Sequence, residues 1–182
     1  MLIERDPIIA SVWKYLKTAT REDILSIPDL EPDQSTDDLQ IPQAAKWLVG
    51  LWLNRGVESP RKRPSKWMRD GIRPGSFWGD RVRKTIASQL SAIQHWDIYE
   101  GSYSTYCFPG PATWFIDPPY QLAGRHYRFG ASQLDYGELG QWCMSREGQV
   151  IVCENEGANW LEFKGLSDIK TTRRKQRCCE VM

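Results

Sequence analysis

The sequence predicts a mixed α/β fold built on a mostly parallel sheet with a C-terminal antiparallel hairpin. Two continuous apolar runs, residues 112–116 and 150–153, have the length and composition of strands buried on both faces of a parallel sheet. Amphipathic helical patterns occur between such runs, and two strand-like segments close the chain. Because the chain has 182 residues, of which 41% are hydrophobic, we expect a single domain over residues 1–182.

The first element is a short strand ending near Glu4, followed by a helix. Asp6-Pro7 predicts the helix start, because aspartate caps free amides and proline suits the first turn. A basic insert of helix and loop is expected at about residues 28–85, with an exposed loop or irregular insert at 57–79. The other expected elements, in chain order, are helices at about 42–54 and 80–94, a strand at 96–99, a helix at 132–145, and strands at 164–171 and 178–182.

Positive charge is concentrated in one part of the chain, although the net charge is only +1. Residues 55–84 contain ten basic and three acidic side chains, whereas residues 1–40 contain four basic and nine acidic ones. Such a concentration is typical of a surface that contacts phosphates. A solvated cationic face is the alternative that charge alone leaves open.

Cysteine usage and hydropathy narrow the class of protein. The five cysteines show no CxxC spacing and are accompanied by only two histidines, so neither a metal site nor a disulfide framework is expected. No apolar stretch reaches about 18 residues, and the first residues lack the layout of a signal peptide. We therefore expect a soluble cytoplasmic protein with no membrane partner.

The most informative motif is Asp117-Pro118-Pro119-Tyr120, which follows the apolar run directly. Sites in open α/β sheets lie at the carboxyl ends of strands. The prolines lack amide donors and leave carbonyl acceptors, between a carboxylate and an aromatic ring. Asp117 and the Pro118 carbonyl could accept both hydrogens of an adenine amino group while Tyr120 stacks on the base. In duplex DNA that base must first leave the stack.

A strand ending in Asp-Pro-Pro-Tyr resembles the catalytic motif of the DNA amino-methyltransferases that modify adenine N6 or cytosine N4. The resemblance implies a Rossmann-like fold, S-adenosyl-L-methionine as cofactor and double-stranded DNA as substrate. It implies a catalytic group of Asp117, Pro118, Pro119 and Tyr120. Aspartate and tyrosine at the first and fourth motif positions favour adenine over cytosine.

The same resemblance extends to the expected cofactor site. Residues 2–7 are similar to the family's second cofactor motif, which implies that Glu4 holds the ribose hydroxyls and that Asp6 caps the following helix. Gly101-Ser102-Tyr103 stands where the family has Gly-Asp-Tyr, which implies that Ser102 and Tyr103 lie beside the cofactor adenine, although without the usual acid. Asp117 is also expected to border the cofactor.

Two basic and aromatic segments are candidates for DNA contact. The first contains Arg61, Lys62, Arg63 and Lys66 next to Trp67, a combination suited to phosphates and displaced bases. The second, Arg125-His126-Tyr127, follows the catalytic motif and could close on an extruded nucleotide. A flexible charged loop and plain packing are the respective structural alternatives.

The chain departs from the family pattern at its front. No strand followed by a glycine-rich cofactor loop is found: Gly71, Gly75 and Gly79 are dispersed, and Gly137 and Gly140 fall in an expected helix. We therefore expect the first strand to be missing, through a truncated gene product, a misplaced start or completion by a second polypeptide. The alternatives are a non-catalytic DNA-binding remnant or subunit and a methyltransferase acting on RNA or protein amines.

Overall fold

A computed structural model of the chain describes residues 1–53, 59–71, 77–122, 124, 127–170 and 175–181. Its described part is a mixed α/β structure with short sheets. The chain divides into two compact units, Met1–Tyr103 and Ser104–Met182, and each is described by itself.

A two-stranded parallel sheet opens the first unit, in which β1 (Leu2–Glu4) pairs with β2 (Ile98–Glu100). Helix α1 (Pro7–Thr18) follows β1, and the Asp6 carboxylate accepts a hydrogen bond of 2.8 Å from the Ile8 amide. The expected strand, cap and helix are thus confirmed. The strand expected at residues 96–99 lies two residues later, at β2.

Helices provide the core of the first unit. They are α1, α2 (Arg21–Ser26), α3 (Gln43–Trp52) and α5 (Asp80–Gln89), whereas the short helix α4 (Lys66–Arg69) has no buried residue. Fifteen buried apolar residues between Val12 and Leu90 form one cluster, which includes Ile24, Val49 and Leu53 with no exposed surface. α3 matches the helix expected at 42–54, and α5 ends five residues before the predicted position because a turn of 3₁₀ helix covers Leu90–Ala92. α3 ends at Trp52, and only residue 54 of the predicted range lies outside the described residues.

The exposed loop or irregular insert predicted at residues 57–79 is confirmed only in part: most of its described residues are exposed, but some are not. Pro64, Phe77 and Trp78 are buried, and the Trp78 indole donates a 2.9 Å hydrogen bond to the Pro28 carbonyl. The segment also contains the short helix α4, which begins at the Ser65 cap. Phe77 and Trp78 are therefore buried although the segment is mostly polar, and Trp78 packs in the helical core.

A four-stranded mixed sheet forms the centre of the second unit, in the order β3-β4-β6-β5. β3 (Ala112–Ile116) runs parallel to β4 (Gly148–Glu154). β5 (Lys164–Lys170) and β6 (Lys175–Val181) form the predicted antiparallel hairpin, and β6 also pairs with β4 in antiparallel direction. Helix α6 (Tyr136–Met144) lies between β3 and β4 in the chain, inside the range predicted for it.

The prediction that β3 and β4 are buried on both faces is wrong. Only Trp114 is buried in β3, and Phe115 is 65% exposed. In β4, Val150, Val152 and Glu154 are buried in alternation with more exposed neighbours. The continuous apolar runs therefore predicted more burial than the structure shows, because such a run does not distinguish the two faces of a strand.

The helices of the described ranges are either too short or too polar to span a bilayer. None of them is both long enough and apolar enough to cross a membrane.

Candidate functional site

The Asp-Pro-Pro-Tyr motif forms the tip of β3 in the second unit. Ile116 is the last residue of β3 and is in register with Val152 of the parallel strand β4. Both strands therefore end at the same edge of the sheet, with Asp117 following β3 and Glu154 ending β4. We refer to residues 117–120 as the tip.

Glu154 anchors the chain on the far side of the tip. Its side chain is 1% exposed, and its Oε2 accepts hydrogen bonds of 3.0 Å from the Gln121 amide and 3.0 Å from the Trp160 indole. Its Oε1 accepts a 2.7 Å hydrogen bond from the Asn155 amide. A buried carboxylate with three donors of this kind is well satisfied, and it ties the tip to the loop after β4.

Two further contacts fix the second half of the tip. The Tyr136 hydroxyl, at the start of α6, donates a hydrogen bond to the Pro119 carbonyl. The Gly124 amide donates to the Tyr120 carbonyl at 2.6 Å. A β-carbon on Gly124 would lie only 2.6 Å from the Pro119 carbonyl carbon, so a side chain there would displace the tip.

The first half of the tip is left available. Within the described part of the chain, no group donates a hydrogen bond to the Asp117 carboxylate or to the Pro118 carbonyl. Asp117 is exposed and Pro118 is half-buried. Since the Pro119 carbonyl and Gln121 amide are already paired, the tip presents two hydrogen-bond acceptors from adjacent residues to a ligand.

The electrostatics of the tip favour a ligand that donates hydrogen bonds. Partial burial of the Asp117 carboxyl group and, second, the negative charge of Glu154 raise the pKa of Asp117 above its usual value. The same two causes raise the pKa of Tyr136 to about 12. Tyr136 therefore stays protonated as a donor to Pro119, while a partly desolvated Asp117 binds hydrogen-bond donors more strongly than a hydrated one does.

The surroundings of the tip include exposed apolar side chains. Leu122 is 66% exposed and Tyr127 is 58% exposed, and Tyr120 is half-buried. Tyr127 is one of the three residues after the motif that were predicted to contact DNA, and its side chain is exposed. Arg125 and His126, predicted to contact DNA with it, lie outside the described residues.

The four predicted cofactor residues of the first unit come together at one end of its sheet. Glu4 ends β1, and the Gly101 amide, just after β2, donates a 2.9 Å hydrogen bond to the Glu4 carbonyl. The Asp6 amide donates to Glu4 Oε1 at 2.8 Å, and burial raises the pKa of Glu4. Ser102 and Tyr103 follow Gly101 directly and are half-buried.

The predicted DNA-contact residues Arg61, Lys62, Arg63 and Lys66 are all exposed in the first unit. Arg61, Lys62 and Arg63 line one pocket together with Ser35, Asp37, Pro64 and Arg69. Lys66 lies outside this set, at the start of α4. The sequence did not identify Asp37 or Arg69 as members of the group. Asp37 is distant from residues 61–63 in the chain, and Arg69 lies outside the basic run.

Glu154, Tyr136 and Gly124 hold the tip from outside it, and they are not among the site residues predicted from the sequence. One signal was present for Glu154, since an acid at the end of an apolar run beside the motif strand is unusual enough to mark a site. Tyr136 and Gly124 carry no comparable signal. Within the described part of the chain, no group of three or more potential metal ligands occurs.

No protein-family model, curated protein or solved structure matches this chain. The function must therefore be inferred from the residues and contacts of the chain itself.

Proposed function

We propose that the protein transfers a methyl group from S-adenosyl-L-methionine to the N6 amine of adenine in DNA. One observation carries this proposal: two acceptors from adjacent residues, the Asp117 carboxylate and the Pro118 carbonyl, have no internal donor among the described residues, at the end of a parallel strand. An exocyclic amine has two hydrogens to donate and matches this pair. A base that offers only ring acceptors and no exocyclic amine does not match this pair of acceptors.

The residues of the tip perform three tasks in this mechanism. Asp117 and Pro118 accept the two amine hydrogens, which directs the nitrogen lone pair away from the ring plane. Tyr120 stacks on the extruded base. As the nitrogen gains positive charge during transfer, the Asp117 carboxylate stabilises that charge and lies beside the proton that the amine must release. The cofactor supplies the electrophilic methyl group.

Glu4, Asp6, Ser102 and Tyr103 suit the nucleoside part of that cofactor. A half-buried carboxylate at a strand end can accept hydrogen bonds from a ribose diol, as in other dinucleotide and nucleoside sites. The Ser102 hydroxyl can accept or donate a hydrogen bond to the cofactor adenine.

Strand order within each sheet supports the same fold. A doubly wound sheet has the order 3-2-1-4-5 in its central part. If β1 to β4 correspond to strands 2 to 5 of that fold, each unit by itself contains a neighbouring pair of that order, β1-β2 as strands 2 and 3 and β3-β4 as strands 4 and 5. Strand 1 has no counterpart among the described strands, in agreement with the absence of a glycine-rich loop from the sequence.

The second candidate is a subunit or remnant that binds DNA but needs another polypeptide for catalysis. This candidate is favoured by the placement of Gly137 and Gly140, which lie within α6 and therefore do not form a cofactor loop. Isothermal titration with S-adenosyl-L-methionine separates the two: saturable binding by the chain alone supports the enzyme. Retained DNA binding without cofactor binding supports the subunit.

Methyl transfer can be tested directly with labelled cofactor and unmethylated DNA, followed by digestion to nucleosides. We expect label in N6-methyldeoxyadenosine and a loss of roughly 10²–10³-fold with Asp117→Ala, which removes one charged acceptor. Glu147→Gln, an exposed acid in the same unit, is the matched control and should keep full activity. Label in N4-methylcytosine, in RNA or in protein, or unchanged activity of Asp117→Ala, would contradict the proposal.

A further inference from the structure

The basic segment of the first unit is anchored to the core rather than free in solvent. The Arg61 amide donates a 3.1 Å hydrogen bond to the Gly50 carbonyl of α3, and the Ser65 amide donates to the Leu53 carbonyl at 3.3 Å. The Thr36 amide donates to the Lys62 carbonyl at 2.8 Å. A β-carbon on Gly50 would lie 2.6 Å from the Arg61 carbonyl oxygen, which shows how closely the segment packs on α3.

This anchored segment surrounds a pocket of about 530 Å³ with excess positive charge. Four basic side chains, those of Arg61, Lys62, Arg63 and Arg69, line it against a single acid, Asp37. Among the described residues, neither Arg61 nor Arg63 takes part in an ion pair or a side-chain hydrogen bond. Their charge is therefore not neutralised by the protein there.

Asp37 forms an ion pair with one of the four cations, Lys62. Its carboxylate lies 2.7 Å from the Lys62 ammonium, and both side chains are largely exposed, at 53% and 72%. Such a pair contributes little to stability and exchanges readily with an incoming anion. Asp37 thus competes with any anion for Lys62.

We propose that Arg61, Lys62, Arg63 and Arg69 form a binding pocket for the phosphate backbone of DNA, and that Asp37 limits its affinity. Backbone phosphates suit this pocket because several cations on a fixed loop can contact successive phosphates. Trp67, 57% exposed on the same four-residue helix as Arg69, offers a ring for an unpaired base. The inference rests on the proposed function and deepens it by locating the binding site of the substrate backbone, but its test requires no methyl transfer.

The experiment measures binding of the full chain to a mixed-sequence duplex by fluorescence anisotropy over a range of salt concentrations, without cofactor. Arg61→Ala/Arg63→Ala should reduce the slope of log affinity against log salt by about 1 for each phosphate that is no longer neutralised, which weakens binding about tenfold per phosphate at about 0.1 M salt. The matched control is Arg81→Ala/Lys84→Ala, which removes two exposed cations from α5. Thermal melting checks that each variant is folded.

A pair of acid-to-amide variants tests the role of Asp37. Asp37→Asn releases Lys62 and should tighten DNA binding about tenfold, with a steeper salt slope. Asp80→Asn breaks a comparable exposed pair with Lys84, at 2.8 Å, and should change affinity by less than half as much. Both variants make the same change in net charge, so only the position differs.

Three results would overturn the inference. One is an equal effect of the pocket variants and the α5 variants, which would indicate a diffuse charge effect. Another is displacement of the duplex by inorganic phosphate at a concentration equal to that of the backbone phosphate that saturates binding. This result would indicate a site for small anions. The third is no DNA binding by the folded wild-type chain. These binding measurements need neither cofactor nor methyl transfer, so failure of this site is distinguishable from failure of methyl transfer.

Discussion

At the scale of single residues, the surroundings of Asp117 disfavour the ionised form of its carboxyl group, and this group accepts no hydrogen bond from the described residues. Its pKa is raised by partial burial and by Glu154, and it has no internal donor among the described residues. A carboxylate retained in such a position is more easily explained by a ligand than by stability. Its effect on the stability of the fold can therefore be measured separately from its function.

Asp117→Asn should raise the melting temperature at neutral pH while it abolishes amine binding. Because the folded pKa is raised, the folded protein binds more protons than the unfolded chain as pH rises above the usual value of 3.8, and stability falls through that window. The gain from the substitution should thus shrink as pH approaches 3.8. Thermal melting at several pH values, with Glu147→Gln as control, checks this; a lower melting temperature at neutral pH would be inconsistent with it.

Glu154 has the opposite character, since its carboxylate is buried and accepts three hydrogen bonds. Glu154→Gln replaces one acceptor oxygen by an amide that faces a donor, which should destabilise the fold by about 1–3 kcal/mol. The loss of negative charge should also lower the pKa of Tyr136 from about 12, although burial still keeps it raised. Absorbance titration of the phenolate measures this, and an unchanged Tyr136 pKa would refute the assignment.

At the scale of elements, helix α6 supports the site through close packing on the loop that contains Trp160. A β-carbon on Gly140 would lie 2.9 Å from the Trp160 carbonyl oxygen, a backbone atom that cannot move freely. A β-carbon on Gly137 would meet only the Asp135 carboxylate, at 3.2 Å. The two glycines of one helix therefore have different roles.

Gly140→Ala should destabilise the protein by about 1–3 kcal/mol through overpacking. Gly137→Ala should change stability by less than about 1 kcal/mol, because the better helix propensity of alanine is offset by crowding of Asp135 Oδ1, which accepts the capping hydrogen bond from the Glu138 amide. Chemical denaturation of both variants measures the difference. Equal destabilisation by the two substitutions would show that helix propensity, rather than the packing of Gly140 on Trp160, governs this element.

The elements themselves followed from the sequence where local signals were strong. The continuous apolar run at residues 112–116 marked the limits of β3, and Asp6-Pro7 marked the start of α1. β6 began three residues earlier than predicted because Lys175-Gln176-Arg177 carries no apolar signal. Glu154 bonds to Gln121, 33 residues away, and such long-range pairing leaves no local pattern to read.

At the scale of the whole molecule, the sequence predicted the α/β class and the C-terminal hairpin but not the division into two units. Local periodicity shows which segments form strands, whereas it does not show which strands share a sheet. The fifteen buried apolar residues of the main cluster all belong to the first unit. The basic pocket also lies wholly within it.

We therefore expect residues 1–103, produced alone, to melt cooperatively and to bind duplex DNA with the salt dependence of the full chain. The physical reason is that the main cluster needs no apolar residue from the second unit. Circular dichroism and anisotropy measure the two properties. A non-cooperative transition would show that the core is incomplete without residues 104–182.

The central claim is that Asp117 and Pro118 accept the two hydrogens of an adenine amine, and a nucleoside titration tests it most directly. Nuclear magnetic resonance of isotope-labelled protein can follow the Gln121 amide and the Trp160 indole, which both donate to Glu154 beside the tip. Adenosine should shift these signals saturably, and purine riboside, which lacks the amine, should not. Asp117→Ala should abolish the response to adenosine. Equal shifts with both nucleosides, or no shift with either, would contradict the account.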